Sequence, residues 1–320
     1  MTTIALIVEP GSTPSSVMTT LDMVNIASRY PEAGDCRVEA LSISGGGVQL
    51  TPAVRVETRA MPESLGRYGA VIIPGFFAGD AVSLAGQLRT VWQPVIARLR
   101  ALGPGTLAGA SCYGTFVLAE SGLLDGCNAT TTWWFQALFR ERYPAVRLDG
   151  DQALADGGRV ITAGAMMAHT DLSLHVLRRL YGAALARRVG GIMLVDGVRT
   201  SQRPFMALQR VFADPLVQEA TDRMARHSAA AISTPDLAAA LNVSYRTLHR
   251  RFTAAAGMPP LAYLQALRVE QAKELLESTR LSLEQIVERV GYSDASAFRR
   301  LFARTVGLSP AQYRQRFKSG

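Results

Sequence analysis

The chain has 320 residues, 48% of them hydrophobic and 19% charged, with a formal net charge of +8. This composition excludes disordered and fibrous proteins and predicts two globular domains. No apolar run approaches the roughly 18 residues that cross a bilayer, and the N-terminus lacks the basic leader and long apolar segment of a secretion signal, so we expect a cytoplasmic protein with no membrane partner.

Residues 1–195 alternate between strand-like and helix-like patterns. Strands are predicted at residues 4–8, 38–43, 70–73, 106–111 and 159–162, and helices at 15–29, 81–102 with a break near Pro94, 113–121 and 172–180. This alternation predicts an α/β sandwich with a mainly parallel sheet. Ligands of such sheets bind where loops leave the carboxyl ends of the strands.

One such loop places Cys112 among small residues, where a strand turns sharply into a helix. This arrangement is typical of a nucleophile elbow, and the nearby helix N-terminus predicts a lowered pKa and a thiolate. The alternative is a small hydrophobic side chain packed against the sheet. Cys36, Cys112 and Cys127 lack metal-ligand and C-x-x-C spacing, so we predict free thiols, no metal site and no bound cofactor.

The same segment carries a family resemblance. The run Cys112-Tyr-Gly-Thr-Phe-Val-Leu-Ala-Glu-Ser-Gly-Leu-Leu-Asp-Gly, with Ile161-Thr-Ala-Gly and Asp171-Leu-Ser-Leu-His175, resembles the PfpI-like branch of the class I glutamine amidotransferase superfamily. The resemblance covers most of residues 4–195. It implies an amidotransferase-like fold.

Two departures from that family argue against catalysis. Catalytic PfpI-like members have a histidine directly after the elbow cysteine, where this chain has Tyr113. Related regulators often read Thr-Thr-His-Trp where this chain has Thr131-Thr-Trp-Trp134. Tyrosine and tryptophan cannot act as an imidazole base near neutral pH, and His169, predicted in a loop, is the remaining substitute; the alternatives are a pocket wall or a surface residue. We therefore predict no catalytic residues.

A pocket without a base suits a sensor. The predicted ligand-binding residues, drawn from the strand-end loops, are Glu9, Phe76, Phe77, Cys112, Tyr113, Trp133, Met167 and His169. Aromatic walls with a few polar groups favour a small metabolite, such as a cationic amine over a ring face. Related regulators respond to small nitrogen compounds, and the resemblance implies that class of effector. The aromatic residues could equally belong to the core or to a dimer interface.

A linker is predicted at residues 196–216, which contain Arg203-Pro204 and Asp214-Pro215 and a possible helical turn at 205–212. It divides the chain into a first domain of residues 1–195 and a second of residues 217–320. The second domain opens with a helix from residue 217 to about 228.

The second domain contains the same helical pattern twice. At an offset of 50, the residues that match are Arg250 with Arg300, Phe252 with Phe302, Gly257 with Gly307, Pro260 with Pro310, Tyr263 with Tyr313 and Gln265 with Gln315. Each copy reads as a short helix, a tight turn, a second helix and a glycine stop, which is the helix-turn-helix pattern. The alternative is a solvated helical bundle with ordinary surface arginines.

Capping residues delimit the helices of each copy. In the first, Thr234 is predicted to cap one helix, Asn242-Val243 to form the turn and Ser244 to cap the reading helix. In the second, residues 291–293 form the turn and cap. A helix from residue 259 to about 278, with Leu261 on its apolar side, joins the copies and spans roughly 30 Å, close to the roughly 34 Å between successive major-groove faces.

Charge follows the repeat. Residues 221–320 carry 15 Lys/Arg against 8 Asp/Glu, whereas residues 1–220 carry 19 against 18, as phosphate neutralisation requires. Leu248, Phe252, Phe298, Leu301 and Phe302 are predicted to face the cores. The predicted DNA-binding residues are Ser244, Tyr245, Arg246, Thr247, Arg250, Arg251, Ser293, Ser296, Arg299, Arg300 and Arg304.

The repeat also resembles a known family. The run from Ile286 to Phe302 (Ile-Val-Glu-Arg-Val-Gly-Tyr-Ser-Asp-Ala-Ser-Ala-Phe-Arg-Arg-Leu-Phe), with Gly307-Leu-Ser-Pro and Tyr313-Arg314, closely resembles the AraC/XylS signature. It covers residues 233–317; Val287 replaces the usual alanine. The resemblance implies two helix-turn-helix subdomains, an all-α fold, and activation of transcription with RNA polymerase as a partner. Fused to a PfpI-like domain, it resembles the GlxA subfamily.

We therefore predict a DNA-binding transcription regulator, an activator, that responds to a small-molecule effector and is not an enzyme. Its partners would be double-stranded DNA and a second copy of the chain, joined through the N-terminal domain, and it would lie in the cytoplasm at the nucleoid. Two alternatives remain open: a hydrolase or amidase dependent on Cys112 and tethered to DNA, and a thiol redox sensor acting through the same residue.

Overall fold

The computed structural model describes residues 2–197, 199–208, 212–227 and 233–318. The chain divides into two compact units, Met1–Gln202 and Arg203–Gly320. In the described part of the first unit, the elements in order are β1 (Thr3–Ile7), α1 (Pro14–Ala27), β2 (Arg37–Ser42), β3 (Gly46–Thr51), β4 (Val54–Ala60), β5 (Ala70–Ile73), α2 (Ala81–Arg89), α3 (Gln93–Arg100), β6 (Leu107–Ser111), α4 (Gly114–Glu120), β7 (Asn128–Ala129), α5 (Gln136–Arg142), β8 (Arg147–Leu148), β9 (Leu154–Asp156), β10 (Val160–Ala163), α6 (Ala168–Tyr181) and α7 (Ala183–Ile192).

The main sheet of the first unit has eight strands in the order β3-β4-β2-β1-β5-β6-β10-β9. The edge pairs β3–β4 and β10–β9 are antiparallel, and the pairs between them are parallel. The prediction of a mainly parallel sheet is therefore confirmed. The strand order reverses direction between β1 and β5, which is where open α/β sheets place their ligand crevice.

Both faces of this sheet are covered. Alternate residues of β1 enter opposite cores, with Ala5 and Ile7 in one and Ile4 and Leu6 in the other, because successive side chains of a strand point to opposite faces. Helices α2 to α5 pack on the first face, and α1, α6 and α7 on the second. Functional side chains therefore have to lie at the strand ends.

Some element boundaries differ from the predicted ones. The predicted helix at 81–102 is two helices, separated at Thr90–Trp92, with Pro94 in the first turn of α3. His169 lies in the first turn of α6 rather than in a loop. The sequence did not predict β3, β4, β7, β8, β9, α5 or α7.

The division between the units falls inside the predicted linker. Gln202 belongs to the first unit: its Oε1 accepts a hydrogen bond from the Ala165 amide at 2.9 Å, and its Nε2 donates to the Thr131 carbonyl at 2.9 Å. A short 3-10 turn spans Arg203–Phe205. The predicted helical turn at 205–212 lies partly outside the described residues.

The described helices of the second unit are α8 (Pro215–Arg226), α9 (Thr234–Ala240), α10 (Tyr245–Ala256), α11 (Pro260–Ser278), α12 (Leu283–Arg289), α13 (Ala295–Val306) and α14 (Pro310–Phe317). Helices α10 and α13 have identical lengths and are offset by 50 residues. Both end at a glycine in the left-handed region, Gly257 with φ +69° and Gly307 with φ +78°, where a side chain would be strained. The repeat predicted from the sequence is thus present as structure.

Two predicted helix caps are wrong and one is confirmed. Ser244 caps α10, since its hydroxyl accepts a hydrogen bond from the Thr247 amide at 3.1 Å. Helix α9 is capped by Ser233 rather than Thr234. Helix α13 is capped by Asp294 rather than by residue 293, because the carboxylate accepts the amides of two residues of the first turn.

Each copy of the repeat has its own core. Leu248 and Phe252 are buried in one core, and Phe298 and Phe302 in the other. Helix α11 contributes to both cores, and its 19 residues span about 28 Å. Leu261, predicted on the apolar side of this helix, is instead 55% exposed.

Candidate functional site

Exposed arginines lie on both second helices of the repeat. Arg246 and Arg250 on α10 are exposed, as are Arg299, Arg300 and Arg304 on α13. Of the neighbouring residues singled out in the sequence, Ser244, Tyr245, Ser293 and Ser296 are exposed and Thr247 is half-buried. Two short helices that each present cationic, planar guanidinium groups have the chemistry needed to contact phosphates and guanine edges.

Arg251, predicted to contact DNA, is held within the second unit instead. Its Nε and Nη2 donate to the carboxylate of Asp214 at 2.9 and 2.5 Å. The ion pair raises the pKa of Arg251 and lowers that of Asp214. The physical reason is helical register: residue 251 lies three positions after buried Leu248, on the same face. Its counterpart in the second copy, Leu301, is buried.

His249 is a further residue of α10 that lies outside the predicted set. This residue is the counterpart of Arg299 at the offset of 50, and its imidazole lies 5.8 Å from the ring of Tyr245, centroid to centroid. The repeat alignment itself is the signal that identifies it, because the same position of a repeated reading helix faces the same way. His249 joins the set of residues that α10 presents.

The turns that precede α10 and α13 have the same backbone shape. Asn242 has a φ of +54° and Gly291, 49 residues later, a φ of +78°. Asparagine and glycine are the residues that adopt this left-handed conformation most readily. In each copy, the tight turn between the two helices therefore contains a residue suited to a positive φ.

In the first unit, Cys112 lies between β6 and α4 with a φ of +52°. Its amide donates to the Gly164 carbonyl at 2.9 Å, and its carbonyl accepts the Thr115 hydroxyl at 2.7 Å. A Cβ on Gly114 would come within 2.6 Å of the Pro74 carbonyl oxygen, so this position excludes a side chain. The sharp strand-to-helix turn predicted at Cys112 is present.

The predicted thiolate at Cys112 is wrong. The side chain is buried, with 6% of the residue exposed, and this burial raises the pKa of the Cys112 thiol to about 12 although the neighbouring Tyr113 amide acts in the opposite direction. The free-energy penalty of removing the thiolate from water is larger here than the stabilisation that the nearby helix N-terminus gives it. Both alternative interpretations, hydrolase and redox sensor, require a reactive thiolate, so the geometry disfavours them.

His169 does not serve Cys112 as a base. Its Nδ1 is 2.8 Å from the Ser111 hydroxyl and its Nε2 is 2.7 Å from the Thr20 hydroxyl, so both ring nitrogens are engaged. The residue is 1% exposed, and burial lowers the pKa of its imidazole to about 3. His169 is a neutral residue that links β6 to α1, and it does not form the wall of an open pocket.

Two of the predicted pocket residues, Phe76 and Tyr113, come together in an aromatic cluster, which we define as Phe76, Trp92, Tyr113, Trp134 and Phe135. The Tyr113 ring stacks on Phe135 at 5.3 Å and meets Phe76 at 5.8 Å and Trp134 at 6.2 Å. Phe76 lies 4.8 Å from Trp92, and the Trp134 indole Nε1 donates to the Tyr113 hydroxyl at 2.7 Å. Electron-rich ring faces are the groups that attract organic cations.

Two buried polar atoms at or beside this cluster have no hydrogen-bond partner, the indole Nε1 of Trp92 and the hydroxyl of Thr132. Thr132 directly precedes Trp133, whose ring contacts Trp134 at 5.1 Å. Native proteins rarely leave such atoms unpaired. A ligand group or a water molecule is the usual partner.

The remaining predicted pocket residues are dispersed. Glu9 is buried: its Oε1 accepts the Ile43 amide at 2.8 Å, and burial raises its pKa. Phe77 and Met167 are 51% and 54% exposed. One surface cleft of about 380 Å³ in the first unit contains none of the predicted pocket residues, and is lined by Asn128, Ala129, Arg147, Leu148, Asp149, Gln152, Ala155 and Asp156.

Within the described ranges, no helix is both long and apolar enough to cross a membrane. Nor does that part of the chain bring three or more His, Cys, Asp or Glu side chains together as a metal site would require.

Comparison with known proteins finds a family match in the second unit. The helix-turn-helix domain family matches residues 237–316, from α9 to α14. The transcriptional regulator CdhR of Pseudomonas aeruginosa is 28% identical over 309 residues, which are 95% of this chain and 89% of the relative. The transcriptional regulator GlxA of Rhizobium meliloti is 28% identical over 210 residues, 63% of this chain and 64% of the relative.

The first unit has a structural likeness of its own. DJ-1beta of Drosophila melanogaster superposes with a TM-score of 0.51 and 17% identity, covering 61% of this chain and 99% of that protein. The likeness supports the amidotransferase-like fold that the sequence predicted.

Proposed function

We propose that α10 and α13 enter successive major-groove faces of one DNA duplex. The chain belongs to the GlxA-like regulators of the AraC/XylS family and carries a PfpI-like N-terminal domain. The chain is a DNA-binding transcriptional regulator. The observation that carries the proposal is the equivalence of the two helices, which have the same length, the same glycine stop and exposed arginines.

The proposed DNA contacts are made by the exposed side chains of these helices. Arg246, Arg250, Arg299 and Arg300 carry most of the contact, as bidentate readers of guanine or as phosphate ligands. The same proposed set includes the exposed Ser244, Tyr245, Ser293, Ser296 and Arg304 and the half-buried Thr247. His249 is added to it, and the predicted Arg251 is left out because Asp214 binds it.

Salt titration tests this assignment. The full chain is bound to a duplex that it has selected from a random library, and affinity is measured against salt for the alanine variants of the four arginines. A phosphate ligand should reduce the salt slope by about 1, whereas a base reader should cost about 1–3 kcal/mol and relax specificity. Arg178→Ala, which removes an exposed arginine of the first unit, is the matched control. Wild-type binding by all four variants would refute the assignment.

The first unit is proposed to be a non-catalytic sensor whose effector binds at the aromatic cluster. The ring faces suit a small organic cation, in particular a quaternary or primary amine. An acceptor group on the same compound, such as a carboxylate, would pair with the unpartnered indole N–H of Trp92. The curated relatives are named as transcriptional regulators, as expected of a chain without catalytic residues. Binding would bias the reading helices only if the two states of the protein differ in effector affinity.

Intrinsic fluorescence provides the assay, because Trp92, Trp133 and Trp134 are the three tryptophans of the chain. Titration with a panel of amines, choline among them, should change the emission, and Trp134→Phe should weaken the response. The same compound at saturation should shift the affinity for the selected duplex. Binding of a compound with no shift in DNA affinity would contradict a sensor role.

We also propose that the chain forms a homodimer through the first unit, acts as an activator by contacting RNA polymerase, and works in the cytoplasm at the nucleoid. The exposed apolar side chains of Phe77, Trp134 and Met167 are proposed contacts of this dimer. Sedimentation equilibrium of the full chain should give a dimer mass, and Phe77→Ser should lower the association constant.

A further inference from the structure

The two copies of the repeat differ at one inward-facing position of the reading helix. In the second copy this position is Leu301, buried in the apolar core around Phe298 and Phe302. In the first copy it is Arg251, whose guanidinium is bound by the carboxylate of Asp214. The second copy thus has an apolar contact where the first has an ion pair, and the partner in that pair, Asp214, lies before the first helix-turn-helix copy in the chain.

Asp214 is well placed to orient the residues around it. Its Oδ1 accepts the amides of Leu216 and Val217 at 2.9 and 3.3 Å and caps α8, while both its oxygens bind Arg251 of α10. One carboxylate therefore fixes the start of α8 against the side of α10. A bidentate pair of this kind constrains direction as well as distance.

The segment that precedes Asp214 is anchored in the same subdomain. The Phe212 ring lies 5.9 Å from that of Tyr263 and 6.4 Å from that of Phe252, and its amide donates to the Gln218 Oε1 at 2.8 Å. Residues 212–214 thus bind the core by an aromatic ring and the reading helix by a carboxylate.

We propose that the Asp214–Arg251 ion pair is a positioning device that sets the direction of α10, so that Arg246 and Arg250 meet the DNA together. The inference rests on the proposed DNA-reading function and extends it to two residues that touch no DNA.

Asp214→Asn tests the proposal because the two possible roles of Arg251 predict opposite signs. Asparagine caps helices as well as aspartate does, so the variant removes the ion pair and leaves the cap. If the pair positions α10, affinity for the selected duplex falls about two- to fivefold, the range of a partly exposed ion pair, with an unchanged salt slope. If Arg251 is a DNA ligand, removal of a competing negative charge leaves the affinity unchanged or raises it.

Three further variants of the full chain complete the design. Arg251→Leu, which installs the residue of the second copy, should lower affinity without changing the salt slope, and the double variant Asp214→Asn/Arg251→Leu should bind no more weakly than the weaker single variant. Arg250→Ala is the matched control one residue away and should weaken binding, with either a salt slope reduced by about 1 or relaxed specificity. Circular dichroism confirms that each variant keeps its helices.

The outcomes distinguish failure of the positioning role from failure of the DNA-reading function. Weaker binding by both single variants at constant salt slope supports positioning. A reduced slope for Arg251→Leu, or stronger binding by Asp214→Asn, overturns it. If Arg250→Ala weakens binding while Asp214→Asn binds as the wild type does, the ion pair has no positioning role but the DNA-reading function stands. If the wild-type chain selects no duplex, the function itself fails.

Discussion

Replacing His169 by glutamine should change how the stability of the first unit depends on pH. In the folded protein, burial holds the pKa of His169 at about 3, against an ordinary value of 6.5. As the pH falls below 6.5, the imidazole of His169 therefore binds a proton in the unfolded chain but stays neutral in the folded chain. The neutral His169 therefore makes its full contribution to the free energy of unfolding above pH 6.5, and this contribution is lost as the pH falls towards 3. At 1.36 kcal/mol per pH unit, the loss by pH 5 is about 2 kcal/mol.

Tryptophan fluorescence measures this in the intact chain, since Trp92, Trp133 and Trp134 all lie in the first unit. Urea denaturation at pH 7.5 and pH 5.0 should show that the wild type loses about 2 kcal/mol more free energy of unfolding than His169→Gln does. Ser111→Ala, which removes one partner but keeps the imidazole, should keep the wild-type dependence on pH. Equal pH dependence in the wild type and His169→Gln would refute a buried, neutral His169.

The remaining predictions concern local structure. Ser244→Ala removes the cap of α10 and should lower the free energy of unfolding of the second unit by about 1 kcal/mol, measured by circular dichroism in urea. Gly257→Ala should cost about 1 kcal/mol through its φ of +69° alone; an unchanged stability would contradict that backbone. Phe302→Ala should cost about 3–5 kcal/mol, since the ring is fully buried. Cys112 should react with iodoacetamide at pH 8 more slowly than half-buried Cys127, as peptide mass mapping would show; faster labelling would contradict its raised pKa.

The central strands could be predicted from the sequence because strands buried on both faces are short, continuous apolar runs. Residues 70–73 were predicted as a strand and form β5 with the same bounds. The edge strand β3 and its neighbour β4 were missed because few of their residues are buried, and because β3 begins with Gly46 and Gly47. Strands β7 and β8 have two residues each, too few for any periodic pattern.

The errors at the candidate site have identifiable causes. Arg251 is polar, and the sequence alone does not show that its partly buried side chain is bound by Asp214, 37 residues earlier. The thiol pKa of Cys112 depends on burial by several elements, which no local pattern reports. The partner of His169 on α1 is Thr20, 149 residues earlier in the chain, so their contact exists only in the folded sheet. Local chemistry was predictable from the sequence; long-range packing was not.

A base-pair substitution scan of the selected duplex tests the central claim most directly. With α10 and α13 at the ends of a helix about 28 Å long, the account predicts two clusters of sensitive base pairs, centred about 10 base pairs apart. Arg246→Ala should relax specificity in one cluster only, and Arg299→Ala in the other only. A single cluster, or relaxation of the same base pairs by both variants, would contradict the account.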